Sequence, residues 1–179
     1  MRQFARFFNA LKYVSERYFG YLFLGLLVWA QWHQARIKSS ALITLYYAES
    51  VEGALTALET NQRGFLYTGD PTLYTEYLES KAKYTIASKH LEQVLDKEDA
   101  EDARRFREIE KTIKSKIDEM DQTIAFYRSG KQEAARKLVL SRQGQRYMTA
   151  IRDVLAEIRA TKEIKAISAM NSITGVETP

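Results

Sequence analysis

Four stretches of this chain carry apolar residues at helical spacing, a pattern that predicts long amphipathic helices, with Lys81 and Ser88 as weak points in the second stretch. The clearest stripe consists of Phe106, Ile109, Ile113, Ile117, Met120, Ile124 and Tyr127. The other stripes run from Leu45 to Phe65, from Tyr74 to Leu95 and from Tyr147 to Ile167. Because short connections join these helices, each stripe can be buried only against the others. The sequence therefore predicts an all-α fold, with an antiparallel up-and-down four-helix bundle.

The expected helix ends carry residues that close or cap a helix. Gly69 is able to take the left-handed conformation that ends a helix, Asp70 offers an N-cap oxygen, and Pro71 suits the first position of the next helix. An acidic connection over 96–102 is expected between the second and third helices. A shorter segment, 131–142, leads to the last helix.

An uncharged stretch of eighteen residues, 18–35, precedes the bundle. As a helix it reaches roughly 27 Å, close to the thickness of a hydrocarbon core of about 30 Å. Tyr18 and Tyr21 mark its first end, and Trp29 and Trp32 its second. Such aromatic belts are typical of membrane-interface anchors. We therefore predict a single transmembrane helix over 18–35 in the lipid of a bacterial inner membrane; a cleaved signal peptide and a buried soluble helix are the alternatives.

Residues 1–17 form a tail with four basic residues and one acidic residue. By the positive-inside rule this tail stays in the cytoplasm, and the bundle, over 36–170, is periplasmic. Phenylalanines at helical spacing favour an amphipathic helix lying on the anionic leaflet; a frayed extension of the spanning helix is the alternative. Residues 171–179 form a C-terminal tail that is too short to cross a bilayer.

The charge distribution argues against nucleic-acid binding. The chain has 27 Lys and Arg against 23 Asp and Glu. Much of this excess lies in the N-terminal tail, so the bundle is nearly neutral, and its cations alternate with carboxylates instead of forming a phosphate-binding stripe. The chain has no cysteine, which excludes disulfides, thiol nucleophiles and cysteine metal sites.

No motif typical of a catalytic or cofactor site occurs in the sequence. His33 and His90 are far apart, although His33 could ligate the metal of a tetrapyrrole at the membrane surface. The acidic run over 96–102 lacks the glycine of a calcium loop, and capping with the helix dipole explains it better. We predict a protein that is not an enzyme and has no metal or cofactor.

Tyrosines are concentrated in the first predicted helical hairpin. Because tyrosine combines a rigid ring with a hydroxyl, it is favoured at interfaces. The candidate partner surface consists of Tyr46, Tyr47, Tyr67, Tyr74 and Tyr77. The alternative is that these rings fill the core and boundary of the bundle.

The stretch Leu58–Tyr77, LETNQRGFLYTGDPTLYTEY, resembles the signature of the third type of CHASE domain, a class of extracellular sensory module found in histidine kinases, cyclases and chemoreceptors. Residues 124–163 follow the same family's pattern. The resemblance implies an exported helical bundle without catalytic residues and without a defined ligand. Its motif residues, which we expect to be structural, are Gln62, Arg63, Gly64, Thr68, Gly69, Asp70 and Pro71.

Domains of this type normally lie between two membrane helices and lead to a cytoplasmic output module, whereas only nine residues, 171–179, follow the last predicted helix. We therefore predict first an accessory or structural subunit of a photosynthetic, respiratory or transport complex. Its partners are membrane lipid and other membrane subunits, or a second copy in a homodimer. The alternative is a sensory input domain, truncated from a longer receptor or signalling through a partner, with its small-molecule ligand unassigned.

Overall fold

The computed structural model describes the backbone of residues 2–174 and the side chains of residues 18–36 and 38–168. Over that part of the chain it contains five helices and no strand. The helices are α1 (Arg2–Thr68), α2 (Pro71–Glu98), α3 (Ala100–Arg128), α4 (Gln132–Leu140) and α5 (Gln143–Thr174). The predicted all-α helical bundle is therefore confirmed.

The bundle is a ring of four long helices. Helix α1 packs against α2 and α5, and α3 packs against α2 and α5, while the short α4 lies mainly on α3. Successive long helices run antiparallel. We call the end that holds the α1–α2 turn and Gly130 the tip, and the opposite end, which holds Asp99, the base.

The core follows the predicted stripes of α1 and α3 closely. The stripe residues of α1 from Ala48 to Phe65 and those of α3 from Phe106 to Ile124 are all buried. Helix α2 contributes a mixed row in which Tyr77, Leu91 and Leu95 are buried beside small polar residues. Side chains from all four long helices thus meet in one hydrophobic core.

The predicted stripe of the last helix is wrong at its C-terminal end. Ile164 and Ile167 are 65 % and 56 % exposed, whereas Lys162 and Ala166 are buried. The buried row continues from Ile158 in steps of four and therefore passes through a lysine. A prediction based on apolarity alone misses this row, because Lys162 is stabilised there by two carboxylates. These belong to Asp102 of α3 and to Asp99, the residue before α3.

The connection between α2 and α3 is much shorter than the acidic segment predicted over 96–102. Helix α2 continues to Glu98, and α3 begins at Ala100, so Asp99 alone separates them. The Asp99 N–H donates to Leu95 O, and the Asp99 side chain accepts from the Asp102 N–H. Acidic residues therefore cap α3 and occupy its first turn, where the helix dipole favours negative charge.

The N-terminal part of α1 extends beyond the bundle. Between residues 18 and 36 its apolar side chains are exposed, from 48 % for Leu27 to 78 % for Phe19. Within the described residues, no helix has an apolar stretch long enough to span a membrane. The transmembrane helix predicted over 18–35 is therefore not supported, because its tyrosines, tryptophans, glutamines and histidine lower the average apolarity of that stretch.

The four predicted interface anchors, Tyr18, Tyr21, Trp29 and Trp32, all lie exposed on this extension. The Arg36 guanidinium lies 5.7 Å from the Trp32 ring centroid. The side chains of the predicted tail over 1–17 and most of the predicted C-terminal tail lie outside the described residues.

Candidate functional site

The first three family-motif residues occupy the last turns of α1. Gln62 is 3 % exposed, and its Nε2 has no hydrogen-bond partner among the described residues. Arg63 is exposed and donates to Glu59 Oε1 at 2.9 Å. A Cβ at Gly64 would lie 2.9 Å from Leu73 Cδ1, so the absent side chain allows α1 and α2 to approach closely here.

The other four motif residues build the turn between α1 and α2. Thr68 Oγ1 donates to Gly64 O at 2.8 Å and accepts from the Asp70 N–H at 3.1 Å. Gly69 has a φ of +72°, a conformation that glycine adopts without a steric cost. Asp70 caps α2 by accepting from the Thr72 N–H at 2.8 Å, and Pro71 follows as the first helical residue.

Aromatic rings connect three helices at the tip. The Phe65 ring centroid lies 5.4 Å from that of Tyr74 and 5.3 Å from that of Tyr127. The Arg128 guanidinium lies 4.8 Å from the Tyr74 centroid, a distance typical of a cation–π interaction. The motif turn is therefore fixed to α3 as well as to α2.

The tyrosines of the candidate partner surface do not form one surface. Tyr46 and Tyr67 are 65 % and 92 % exposed, but 21 residues of helix, about 32 Å, separate them. Tyr47 stacks on His90 with centroids 5.0 Å apart. Tyr77 is only 1 % exposed and belongs to the core.

Tyr77 is part of a hydrogen-bonded group between α2 and α3. Its hydroxyl donates to Asp121 Oδ1 at 2.8 Å, and Lys81 Nζ donates to Asp121 Oδ2 at 2.6 Å. Burial, together with the hydrogen bond to Asp121, raises the pKa of Tyr77 well above its usual value. The phenol therefore stays protonated and serves as a hydrogen-bond donor, with no capacity to act as a base.

A buried lysine connects α1, α3 and α5 in the half of the bundle near the tip. The side chain of Lys116 is 3 % exposed, and its Nζ lies 3.4 Å from Glu59 Oε1 and 3.2 Å from Glu119 Oε2. Gly144 of α5 faces this pair, and a Cβ there would lie 2.6 Å from Glu119 Oε2. The ion pair therefore occupies the space that a larger residue at 144 would need.

A second buried lysine lies at the base. Lys162 Nζ lies 2.7 Å from Asp102 Oδ2 and 3.0 Å from Asp99 Oδ2, and the side chains of Lys162 and Asp102 are each 3 % exposed. Lys165 Nζ also contacts Asp99 Oδ2 at 2.6 Å. Hydrogen bonds from Lys165 and Lys162 hold the pKa of Asp99 well below its usual range. We call Asp99, Asp102, Lys162 and Lys165 the base cluster.

Sequence reasoning missed both buried lysines because it treated lysine as a surface residue. A positional signal was nonetheless present. Lys116 lies three residues after Ile113, and Lys162 lies four residues after Ile158, at steps that continue a buried row. A basic residue at such a step, with acidic residues on a neighbouring helix, indicates a buried ion pair.

Two of the open grooves on the surface of the bundle have volumes above about 600 Å³. One, of about 650 Å³, separates α2 from α3 beside Tyr84 and Ile117 and is lined by four basic and three acidic residues. The other, of about 620 Å³, lies at the tip between α1, α3 and α4. We call it the tip groove, and its main lining residues are Arg63, Tyr67, Tyr127, Arg136, Val139 and Leu140.

Several acidic side chains of the described part of the chain form ion pairs within the bundle. Among the described side chains, no group of three or more His, Cys, Asp or Glu residues is placed to hold a metal ion. The buried Asp102 and the partly buried acids described above, Glu59, Asp99 and Glu119, are each paired with a basic side chain.

Comparison with known families confirms the resemblance carried by the signature residues. The family model described as CHASE3 domain matches residues 40–169, which is more than half of the chain. The matched part includes all of α2, α3 and α4, and it begins where α1 enters the bundle. No curated protein and no solved structure matches the chain.

Proposed function

We propose that this chain, which belongs to the CHASE3 domain family, acts as a sensory input module in which ligand binding changes how α1 lies against α5. The family match carries the proposal, because CHASE3 domains are sensory modules. The match supports the sensory alternative and gives no support to the accessory subunit predicted first. A periplasmic location and a protein partner that receives the signal belong to the proposal.

The long helices supply a physical route for such a signal. Helix α1 is continuous over 67 residues, so a displacement at the tip is carried along a single rigid element to its exposed N-terminal part. Helix α5 runs from near the tip to beyond the base. Shifts of about 1–2 Å between packed helices are an established way of transmitting a signal.

Ion pairs between α1 and α5 would respond to this motion. Glu52 of α1 bridges two arginines of α5: it binds Arg159 and lies 3.5 Å from Arg152, which is about two turns away from Arg159. An axial slide of α1 brings Glu52 closer to one arginine and moves it away from the other, so one ion pair shortens as the other lengthens.

Binding is tested on the full chain by measuring its melting temperature with a broad panel of small metabolites. A ligand that binds only the folded state stabilises it by about 2.7 kcal/mol at a concentration one hundred times its Kd. We expect at least one compound to raise the melting temperature saturably. No rise with any compound, together with co-purification of stoichiometric foreign subunits, would count against a sensor and favour the accessory subunit.

Signal transmission is tested by a distance measurement. Because the chain has no cysteine, Ser39→Cys and Ser168→Cys place two unique spin labels on exposed positions of α1 and α5 near the base. We expect the binding compound to change the label-to-label distance by about 1–2 Å or more. Saturating ligand that leaves this distance unchanged overturns the proposed function.

A further inference from the structure

The tip groove exposes large apolar side chains that the fold leaves unburied. Tyr67 is 92 % exposed, Leu140 is 65 % exposed and Val139 is 44 % exposed, and all three line the same concavity. Its volume of about 620 Å³ lies within the range of about 300–1,000 Å³ that is typical of small-molecule sites. Apolar groups gathered in one groove favour a ligand with an apolar body.

The charge of the tip groove is one-sided. Arg63 and Arg136 line it, and no acidic residue does. Arg63 is already paired with Glu59, whereas no carboxylate lies within ion-pair distance of Arg136 among the described side chains. A free guanidinium beside an apolar surface suits a carboxylate, which it binds through two parallel hydrogen bonds.

The larger groove between α2 and α3 lacks this complementarity. Its basic and acidic lining residues nearly balance, and Lys81 and Arg107, two of its cations, are already paired with Asp121 and Asp96. Basic and acidic side chains on its walls can form ion pairs with one another in the absence of a ligand. The tip groove therefore has the more distinctive combination of positive charge and apolar surface for binding a ligand.

We infer that the tip groove binds a small carboxylate with an apolar body, the carboxylate at Arg136 and the body against Tyr67, Val139 and Leu140. This inference rests on the proposed sensory function, because it assigns the ligand class and the site of that function.

The groove is connected to the motif turn through Tyr127. The Tyr127 ring lines the groove and packs edge-on against Phe65 of the core. Its hydroxyl would lie 3.2 Å from a Cβ at Gly69, so it reaches the turn between α1 and α2. An occupant that moves Tyr127 therefore presses directly on the end of α1.

The inference is tested by titrating decanoate into the full chain, below the concentration at which decanoate forms micelles, with isothermal titration calorimetry. We expect saturable binding of one molecule per chain. Arg136→Gln should weaken binding at least about fivefold, because it removes the charge-assisted hydrogen bonds. Decanol, which has the same chain without the charge, should also bind at least about fivefold more weakly.

The matched control is Lys137→Gln, which removes the same charge from the neighbouring position of α4, outside the groove lining. Its affinity for decanoate should stay within about twofold of the wild type, since only contact with the ligand distinguishes the two positions. Leu140→Ser tests the apolar wall and should weaken decanoate and decanol alike. Circular dichroism melting of each variant verifies that the bundle is folded.

Three results overturn the inference: no binding of decanoate to the wild type, equal binding to Arg136→Gln, or equal affinity for decanol. Its failure is separate from failure of the proposed function. If decanoate does not bind but another compound from the panel moves the labels at 39 and 168, the sensory proposal stands and the assigned ligand class is wrong. If decanoate binds at Arg136 without moving them, the site stands and the sensory proposal fails.

Discussion

Replacing the buried lysine of the base cluster is expected to destabilise the bundle strongly. In Lys162→Met the side chain keeps a similar length and volume, so its packing beside Ile158 and Ala166 is largely preserved. The charge is lost, however, and Asp102, whose side chain is 3 % exposed, is left without its nearest cation at 2.7 Å. The change therefore isolates the electrostatic role of Lys162.

The size of the effect follows from the remaining neighbours. Removing one partner of a buried ion pair costs about 3–5 kcal/mol. Two cations compensate in part, since Arg105 Nη1 lies 3.9 Å from Asp102 Oδ1 and Lys165 Nζ lies 2.6 Å from Asp99 Oδ2. We therefore expect a loss of about 2–4 kcal/mol in the free energy of unfolding. For a chain of this size the melting temperature should fall by roughly 5–15 °C.

The assay is urea unfolding of the full chain, followed by far-UV circular dichroism. Lys165→Met is the matched control, because Lys165 contacts the same Asp99 but its side chain is 47 % exposed. That control should lose less than about 1 kcal/mol. Adding Asp102→Asn to Lys162→Met should recover part of the loss, because the isolated buried charge disappears. Equal losses in Lys162→Met and Lys165→Met would refute the reasoning.

Three further predictions concern the core, the tip turn and pH. Ile113→Asp places an unpaired charge at a fully buried position and should abolish cooperative thermal unfolding, whereas Ser115→Asp on the exposed face should not. Gly69→Val forces a β-branched residue to a φ of +72° and should lower the free energy of unfolding in urea by about 1 kcal/mol or more; no loss would contradict the turn geometry. Because the folded-state pKa of Asp99 is lowered, its contribution to stability is present above its unfolded pKa of about 3.9 and is lost as pH falls below it. Urea midpoints between pH 3 and 6 should therefore fall less steeply in Lys165→Met, and equal slopes would contradict this assignment.

The sequence predicts those parts of the fold in which periodicity and local chemistry agree. Most stripe residues of α1 and α3 are buried as expected, because the stripe positions are apolar, with Gln62 as the polar exception. The turn at Gly69 and Asp70 follows from local rules of helix termination and capping. Neither feature depends on which distant residue lies opposite.

Features that depend on distant residues were not predictable in the same way. Lys116 and Lys162 are buried because carboxylates from other elements reach them, and a single stripe does not contain that information. The tip groove likewise combines side chains of α1, α3 and α4, so its one-sided charge becomes visible only when Arg63 and Arg136 are placed together. The exposure of Tyr46 and Tyr67 and the burial of Tyr77 also depend on which helices pack against them.

The single residue between α2 and α3 makes the base a pivot. Asp99 is the single residue between these two helices, and two lysines of α5 bind its carboxylate. Three of the four long helices are therefore held together at this point. Because α2 and α3 are joined at Asp99, the distance by which they can separate increases with distance from that residue. Any breathing of this hairpin is therefore smallest at the base and widest at the far end of the bundle.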